Sequence, residues 1–166
     1  MEFQRQTSRR LHEEHGVTLE LLGRLERVFT GRSGIYPPPD GDSNWPDFAR
    51  RLLGAIEYEV ARHFEFEEHD LFPHLERAGD GDLAQLLTEE HRTIREAAQP
   101  LTLLMRKALA GGAQPEDWQT MKVLALEFSE RLASHAQKEE SALLPVLDDV
   151  LDEQTDRELF GAYVAG

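Results

Sequence analysis

The chain has 166 residues, no cysteine, and 32 acidic against 18 basic side chains, for a formal net charge of −14. That length suits about one domain, spanning 1–166, and the charge would repel nucleic-acid phosphates and anionic lipid headgroups, so neither nucleic acid nor membrane is an expected partner. With no cysteine, disulfides, thiolate metal sites, iron-sulfur ligation and thiol nucleophiles are excluded, and any metal chemistry must use histidine and carboxylate.

The first ten residues lack the apolar core of a signal peptide and no apolar run approaches membrane-spanning length, so the expected location is the cytoplasm. The first predicted helix, about 7–30, places Leu11, His15, Leu19, Leu22, Leu25 and Phe29 on one stripe at the three- and four-residue spacing of a helix. A break follows from Gly31 to Pro46, with prolines at 37 to 39. The second helix, about 46–72, carries Leu52, Ile56, Val60, His63, Glu67 and Leu71 on its stripe. After a break at Gly79 to Asp82 comes a third, about 82–110, with Leu87, His91, Ile94, Ala98, Leu101 and Met105. A break at Gly111 to Pro115 leads to the fourth, about 116–142, with Met121, Leu124, Phe128, Leu132, His135, Glu139 and Ala142. Pro46 and Pro115 suit a first helical turn, where a missing N–H costs nothing. Pro73 and Pro145 each stand six residues beyond a glutamate and are expected to bend or end their helices at matching levels. The tail, with Leu151, Leu159, Phe160 and Val164, is expected to form a short fifth helix over about 152–164. No segment alternates with strand period. The fold class is therefore all-α, an up-down-up-down four-helix bundle with a short C-terminal fifth helix.

Internal repetition carries the chemistry. His63 to Pro73 and His135 to Pro145 follow one template, histidine, glutamate four residues on, a bulky apolar pair and proline; Leu11-His-Glu-Glu-His15 and Leu87-Thr-Glu-Glu-His91 form a second repeated pair. Residues four apart on a helix project from one face, so His63 stacks with Glu67 and His135 with Glu139. In the bundle the second and fourth helices run parallel, which sets these pairs at one depth, opposite His15 and His91. Four imidazoles and two carboxylates then converge in one core layer, enough for two metals with two imidazoles each and a share of two bridging carboxylates. Those donors fit iron, manganese, zinc or copper, with iron the leading choice. Four protein donors per ion would leave about two positions of an octahedral ion for a bridge and a small exogenous ligand.

A lone His-x3-Glu in so acidic a chain is weak evidence, because glutamates on solvated helix faces are common. Six such residues on apolar stripes are different, since burying ionised Glu67 and Glu139 unpaired would cost several kcal/mol that a metal would offset. Of the remaining histidines, His12 competes with His15 for one ligand place, His15 being favoured because the repeat sets it opposite His91; His69 and His74 are expected to be solvated. Glu13, Glu14, Glu89 and Glu90 are expected on solvated faces, although Glu14 and Glu90 could accept a hydrogen bond from a neighbouring imidazole. Trp45, Trp118 and Tyr58 are expected to pack.

The ordered series His15, His63-x3-Glu67, His91, His135-x3-Glu139, with Glu-Glu-His before two of the histidines and Leu-Phe-Pro or Leu-Leu-Pro after the pairs, resembles the hemerythrin-like (HHE cation-binding) family over nearly the whole chain. The resemblance implies two non-haem iron ions in an Fe–O–Fe type centre, bridged by Glu67 and Glu139 and held terminally by His15, His63, His91 and His135. Zinc and manganese rank behind iron. Oxygen-carrying hemerythrins have a fifth histidine one turn after the first on the third helix, and here that residue is Arg95, which stays protonated and cannot be a ligand. The four-His, two-Glu set is similar to that of di-iron proteins associated with oxidative and nitrosative damage and iron-sulfur cluster repair, though those often add a cysteine-containing domain. The functions implied are reaction of a di-iron centre with O2, NO or H2O2, with a reductase or iron-recipient protein as partner, or else non-enzymatic O2/NO binding, storage or sensing. A zinc- or mononuclear-metal structural bundle ranks last. Arg95 is expected either to stabilise a bound anion or to make an outward salt bridge.

Overall fold

The computed structural model describes residues 2–30 and 45–166. Most of the predicted 31–46 break lies outside the described residues. The helices are α1 (Gln6–Thr30), α2 (45–78), α3 (Gly81–Leu109), α4 (115–150) and α5 (Glu153–Ala165), with no strand among the described residues. The architecture is all-α, a four-helix bundle with a C-terminal helix laid against it.

The turns follow from local chemistry. Gly79 takes a left-handed φ of 95° after α2, and the Asp80 N–H reaches back to the Leu75 carbonyl at 2.9 Å, satisfying a helix-end acceptor. Gly111, at φ 79°, does the same service after α3. Gln114 and Asp117 form a capping box at the start of α4, with Pro115 at the first turn. The amide donors that open α1 are satisfied from a distance in sequence: Asp148 accepts from Gln4 and Arg5, and buried Asp156 on α5 from Gln6 and Thr7 at 2.8 and 3.0 Å. α1 has no acid in its own first turn, so α4 and α5 supply the negative charge its N-terminus needs.

α2 and α4 are not regular α-helices. Each contains a wide turn with an i→i+5 bond starting at the glutamate of the repeated template: Phe72 N–H donates to Glu67 O, and Leu144 N–H to Glu139 O. α2 has one more, where Phe64 N–H donates to Glu59 O. Pro73 and Pro145 do not end their helices, one of the two outcomes expected of them, since α2 runs on to Ala78 and α4 to Val150. Each proline stands one residue beyond an i→i+5 bond, where the register is already reverting to i→i+4. A missing N–H is cheap there, so the helix continues.

The apolar core is divided. One cluster is built on Leu22, Leu25, Phe29, Trp45, Leu52, Leu101, Met105 and Phe128; the other on Leu11, Phe66, Leu71, Leu75, Leu87, Leu143, Leu147 and Tyr163. Between the two lies a buried polar layer of His15, Glu59, His63, Glu67, His91, His135 and Glu139. Dry packing above and below denies these groups water.

Candidate metal centre

The layer brings together all six residues expected from the repeats. Their donor atoms fall into two groups, His15, His63, Glu67 and Glu139, and Glu67, His91, His135 and Glu139, each compact enough for one ion. Glu67 and Glu139 belong to both. Glu67 turns Oε1 to His63 Nε2 and Oε2 to His91 Nε2, both at 3.1 Å. Glu139 turns Oε2 to His15 Nε2 at 2.9 Å and Oε1 to His135 Nε2 at 2.7 Å. Each carboxylate thus divides its two oxygens between the groups, the disposition of a bridge.

These close approaches are not hydrogen bonds. Both oxygens of Glu67, both of Glu139, and Nε2 of His15 and His63 are buried without a hydrogen-bond partner, six of nine such atoms among the described residues. Buried polar atoms are nearly always paired. Carboxylate oxygens and imidazole Nε2 atoms converging on common points fit a cation, and in the metal-free layer His91 Nε2 and His135 Nε2 instead meet at 3.0 Å, where one of them carries a proton.

The imidazoles are held from behind. His63 Nδ1 donates to Glu14 at 3.0 Å, His91 Nδ1 to Glu68 at 2.7 Å, His135 Nδ1 to Glu90 at 2.9 Å, and His15 Nδ1 to Glu140 at 2.7 Å. The arrangement is cyclic. α1 orients the histidine of α2, α2 that of α3, α3 that of α4, and α4 that of α1. A carboxylate on Nδ1 fixes the tautomer and leaves Nε2 free to coordinate. Glu14 and Glu90 are not on the solvated faces expected of them but take up the lesser alternative, accepting a hydrogen bond from an imidazole; Glu68 and Glu140 were missed. Their signal was present, since each directly follows the template glutamate in its half of the repeat, but acids beside acids in so acidic a chain read as surface.

The carboxylates shift the metal-free imidazoles. Burial pushes His15 down, but Glu139 and Glu140 outweigh it and raise it to about 9. Burial likewise opposes, and Glu139 and Glu90 dominate, the rise of His135 to about 10. Burial drives Glu14 up, yet hydrogen bonds from His63 and Tyr163 outweigh it and hold the carboxyl at about 2. Glu139 lies well below the usual carboxylate range: burial works against this, and His135 and His15 overcome it. Glu59 is pushed up, chiefly by burial.

Other side chains complete the walls. Phe64 stacks on His91 at 3.8 Å between centroids and 9° between planes, and meets His135 edge-on. Arg95 makes a salt bridge, one of its two expected roles, but to a carboxylate of the site and with its side chain half-buried. Its Nη1 binds Glu68 Oε1 at 2.9 Å and its guanidinium lies 5.4 Å from the Phe64 centroid, so it steadies the carboxylate that orients His91. His12 is outside the cluster, 2.7 Å from Glu140, and so shares the carboxylate that orients His15 without joining the donors. His69, exposed, bonds the Glu65 carbonyl, and His74, half-buried, lies near Arg77. Trp45 and Trp118 pack edge to face at 5.4 Å. Tyr58 departs from its expected packing role, because its hydroxyl donates to Glu14 and meets the Tyr163 hydroxyl at 2.9 Å. Tyr163 in turn donates to Glu14 at 2.7 Å, so α5 reaches the centre through one carboxylate.

The bundle and its shared carboxylates define a helical protein with a buried histidine and glutamate site suited to metal. The hemerythrin HHE cation binding domain matches residues 6–147, and the chain belongs to that family. The match ends within α4 and leaves α5 beyond it. No curated protein matches the chain. No helix among the described residues is long and apolar enough to cross a membrane.

Proposed function

We propose that the protein holds two iron ions, one terminally bound by His15 and His63, the other by His91 and His135, with Glu67 and Glu139 bridging. The observation that carries this is the division of each carboxylate's oxygens between two donor groups that share no histidine. A single ion would need only one group. A closed four-coordinate zinc site would not need bridges either. Imidazole and carboxylate without thiolate suit iron, and such a pair supplies one-electron chemistry toward O2, NO or H2O2 when bound.

The chain's own residues then do three things. The four carboxylates on Nδ1 keep each imidazole's Nε2 turned inward and raise its basicity. The two apolar clusters keep bulk water from the layer, and Phe64 limits rotation of His91. Arg95 holds Glu68, as Arg10, Tyr58 and Tyr163 hold Glu14 and Lys138 holds Glu90.

The function supported best is reaction with small diatomic or peroxide ligands in oxidative or nitrosative stress or iron-sulfur cluster repair, with a reductase or iron-recipient protein as partner. Reversible O2 or NO binding, storage or sensing is the second reading, favoured by the enclosure of the layer between two dry cores. Anaerobic loading should give about two iron per chain, and replacing Glu67 and Glu139 together with Ala should abolish it; undiminished uptake would refute the site. Stopped-flow mixing of the diferrous protein with O2, NO and H2O2 separates the two functions. Irreversible oxidation with peroxide consumption supports turnover, whereas a stable reversible adduct supports carriage or sensing.

A further inference from the structure

Glu59 is the one carboxylate of the buried layer that neither bridges nor orients a histidine. It lies one turn before His63 on α2 and is 5% exposed. Oε1 stands 4.0 Å from His63 Nε2, the nitrogen turned inward, and Oε2 receives a long 3.3 Å bond from Thr18. No lysine or arginine pairs with it among the described residues. The groups whose charges act on it most are His63, Glu139, His15 and Glu67, the whole membership of one donor group. Its other surroundings are a narrow apolar cleft that includes Leu21, Leu52, Ile56, Phe128 and Leu132. A carboxylate so enclosed carries a heavy desolvation cost that a 3.3 Å hydroxyl does not offset.

The repeat provides an internal comparison. One turn before His135 stands Arg131, on the surface in an ion pair with Glu127. The backbone is asymmetric in the same place, for the wide turn Glu59–His63 has no counterpart before His135, where α4 is regular from Pro115 to Lys138. A wide turn inserted at a buried acid is a common mark of a functional position.

We infer that Glu59 is a seventh protein donor, to the ion held by His15 and His63, and that the small exogenous ligand therefore binds the ion held by His91 and His135. Two donors each about 2.0–2.2 Å from a shared ion stand no more than about 4.4 Å apart, a limit that Glu59 meets toward His63 Nε2 at 4.0 Å; it stands just outside the compact set of His15, His63, Glu67 and Glu139, so its side chain must turn further in as the ion binds. The His15 and His63 ion then has five protein donors and the other has four. This inference rests on the two-ion reading above.

The test uses the full chain loaded anaerobically with iron(II), as wild type and Glu59→Gln. Diffraction at the iron edge should place a Glu59 oxygen about 2.0–2.2 Å from the ion beside His15 and His63. Chelator competition should show affinity for one of the two ions falling at least about tenfold in Glu59→Gln, the other being unchanged. Azide, as a small anionic probe, should coordinate only beside His91 and His135 in wild type, and at both ions in the variant. The metal-free variant should melt no lower than wild type, because a buried charge has been removed. Two ions bound in wild type and variant with equal affinity, or Glu59 oxygens beyond about 3 Å from iron, would overturn the inference while leaving the two-ion reading intact. Fewer than two ions in wild type would overturn both. Should the variant fail to fold, the wild-type diffraction measurement still decides.

Discussion

Four glutamates, each bound to the Nδ1 of a histidine on the next helix, turn separate side chains into one closed ring. Each is the residue before a candidate donor histidine or after a glutamate shared by the two donor groups, so the residues that orient stand beside the candidate donors on every helix. Replacing any one of Glu14, Glu68, Glu90 or Glu140 by Gln should lower affinity for the ion served by its histidine by about 10- to 100-fold, read by chelator competition, and leave the other ion nearly unchanged. Equal weakening of both ions by all four variants would show that the ring acts through general charge and not through individual imidazoles. His12→Ala should bind two ions with wild-type affinity, because His12 only shares Glu140 and lies outside both donor groups. Loss of one ion in that variant would move the ligand assignment from His15 to His12.

At the scale of the helix, the wide turns explain why matching prolines leave α2 and α4 unbroken. They begin at Glu67 and Glu139, so the irregularity in the backbone sits at the two carboxylates that must face both groups. Proline at a fixed distance from each glutamate was the visible trace of this, and it could be taken for a helix end because the alternative, a change of hydrogen-bond register, has no residue signature of its own. α5 acts on the site from outside the matched family region. Asp156 caps the amides that open α1, and Tyr163 holds Glu14. Asp156→Ala should cost about 1–2 kcal/mol in urea unfolding, the usual loss for a helix N-terminal acceptor, with metal stoichiometry unchanged. A change below about 0.3 kcal/mol would mean that water replaces the cap.

For the whole molecule, the polar layer between two apolar clusters is costly unless its charges are matched. In the metal-free protein they are matched by protons. His15 and His135, raised from an ordinary 6.5 to about 9 and about 10, contribute stability that is complete below about pH 6.5 and is lost as the pH rises through those values. Chelator-treated protein should therefore melt at progressively lower temperature from pH 6.5 to 10. A level melting curve over that interval would contradict the proton-matched layer. Binding requires those protons to leave, so metal affinity should rise over the same interval. Saturating metal, binding only the folded chain, should add about 4 kcal/mol at a thousand-fold excess over Kd, seen as a higher Tm that chelation reverses.

The six central donors were legible because helical spacing and the repeat at 63 and 135 constrain which side chains share a face, and the apolar stripes require that face to be buried. Local periodicity and the repeat therefore indicated the bundle and the six candidate donors. They could not settle what lies behind the donors. Glu68 and Glu140 look like surface acids until α3 and α1 are packed against them; Arg95 looks like an anion site or a solvent salt bridge until Glu68 and Phe64 claim it. Tyr163 meets Glu14 across 149 residues, and Glu59 becomes a buried charge only when α1 and α4 close over α2. Which acids are solvated and which are desolvated depends on helix-to-helix contact, and that is a property of the packed tertiary structure.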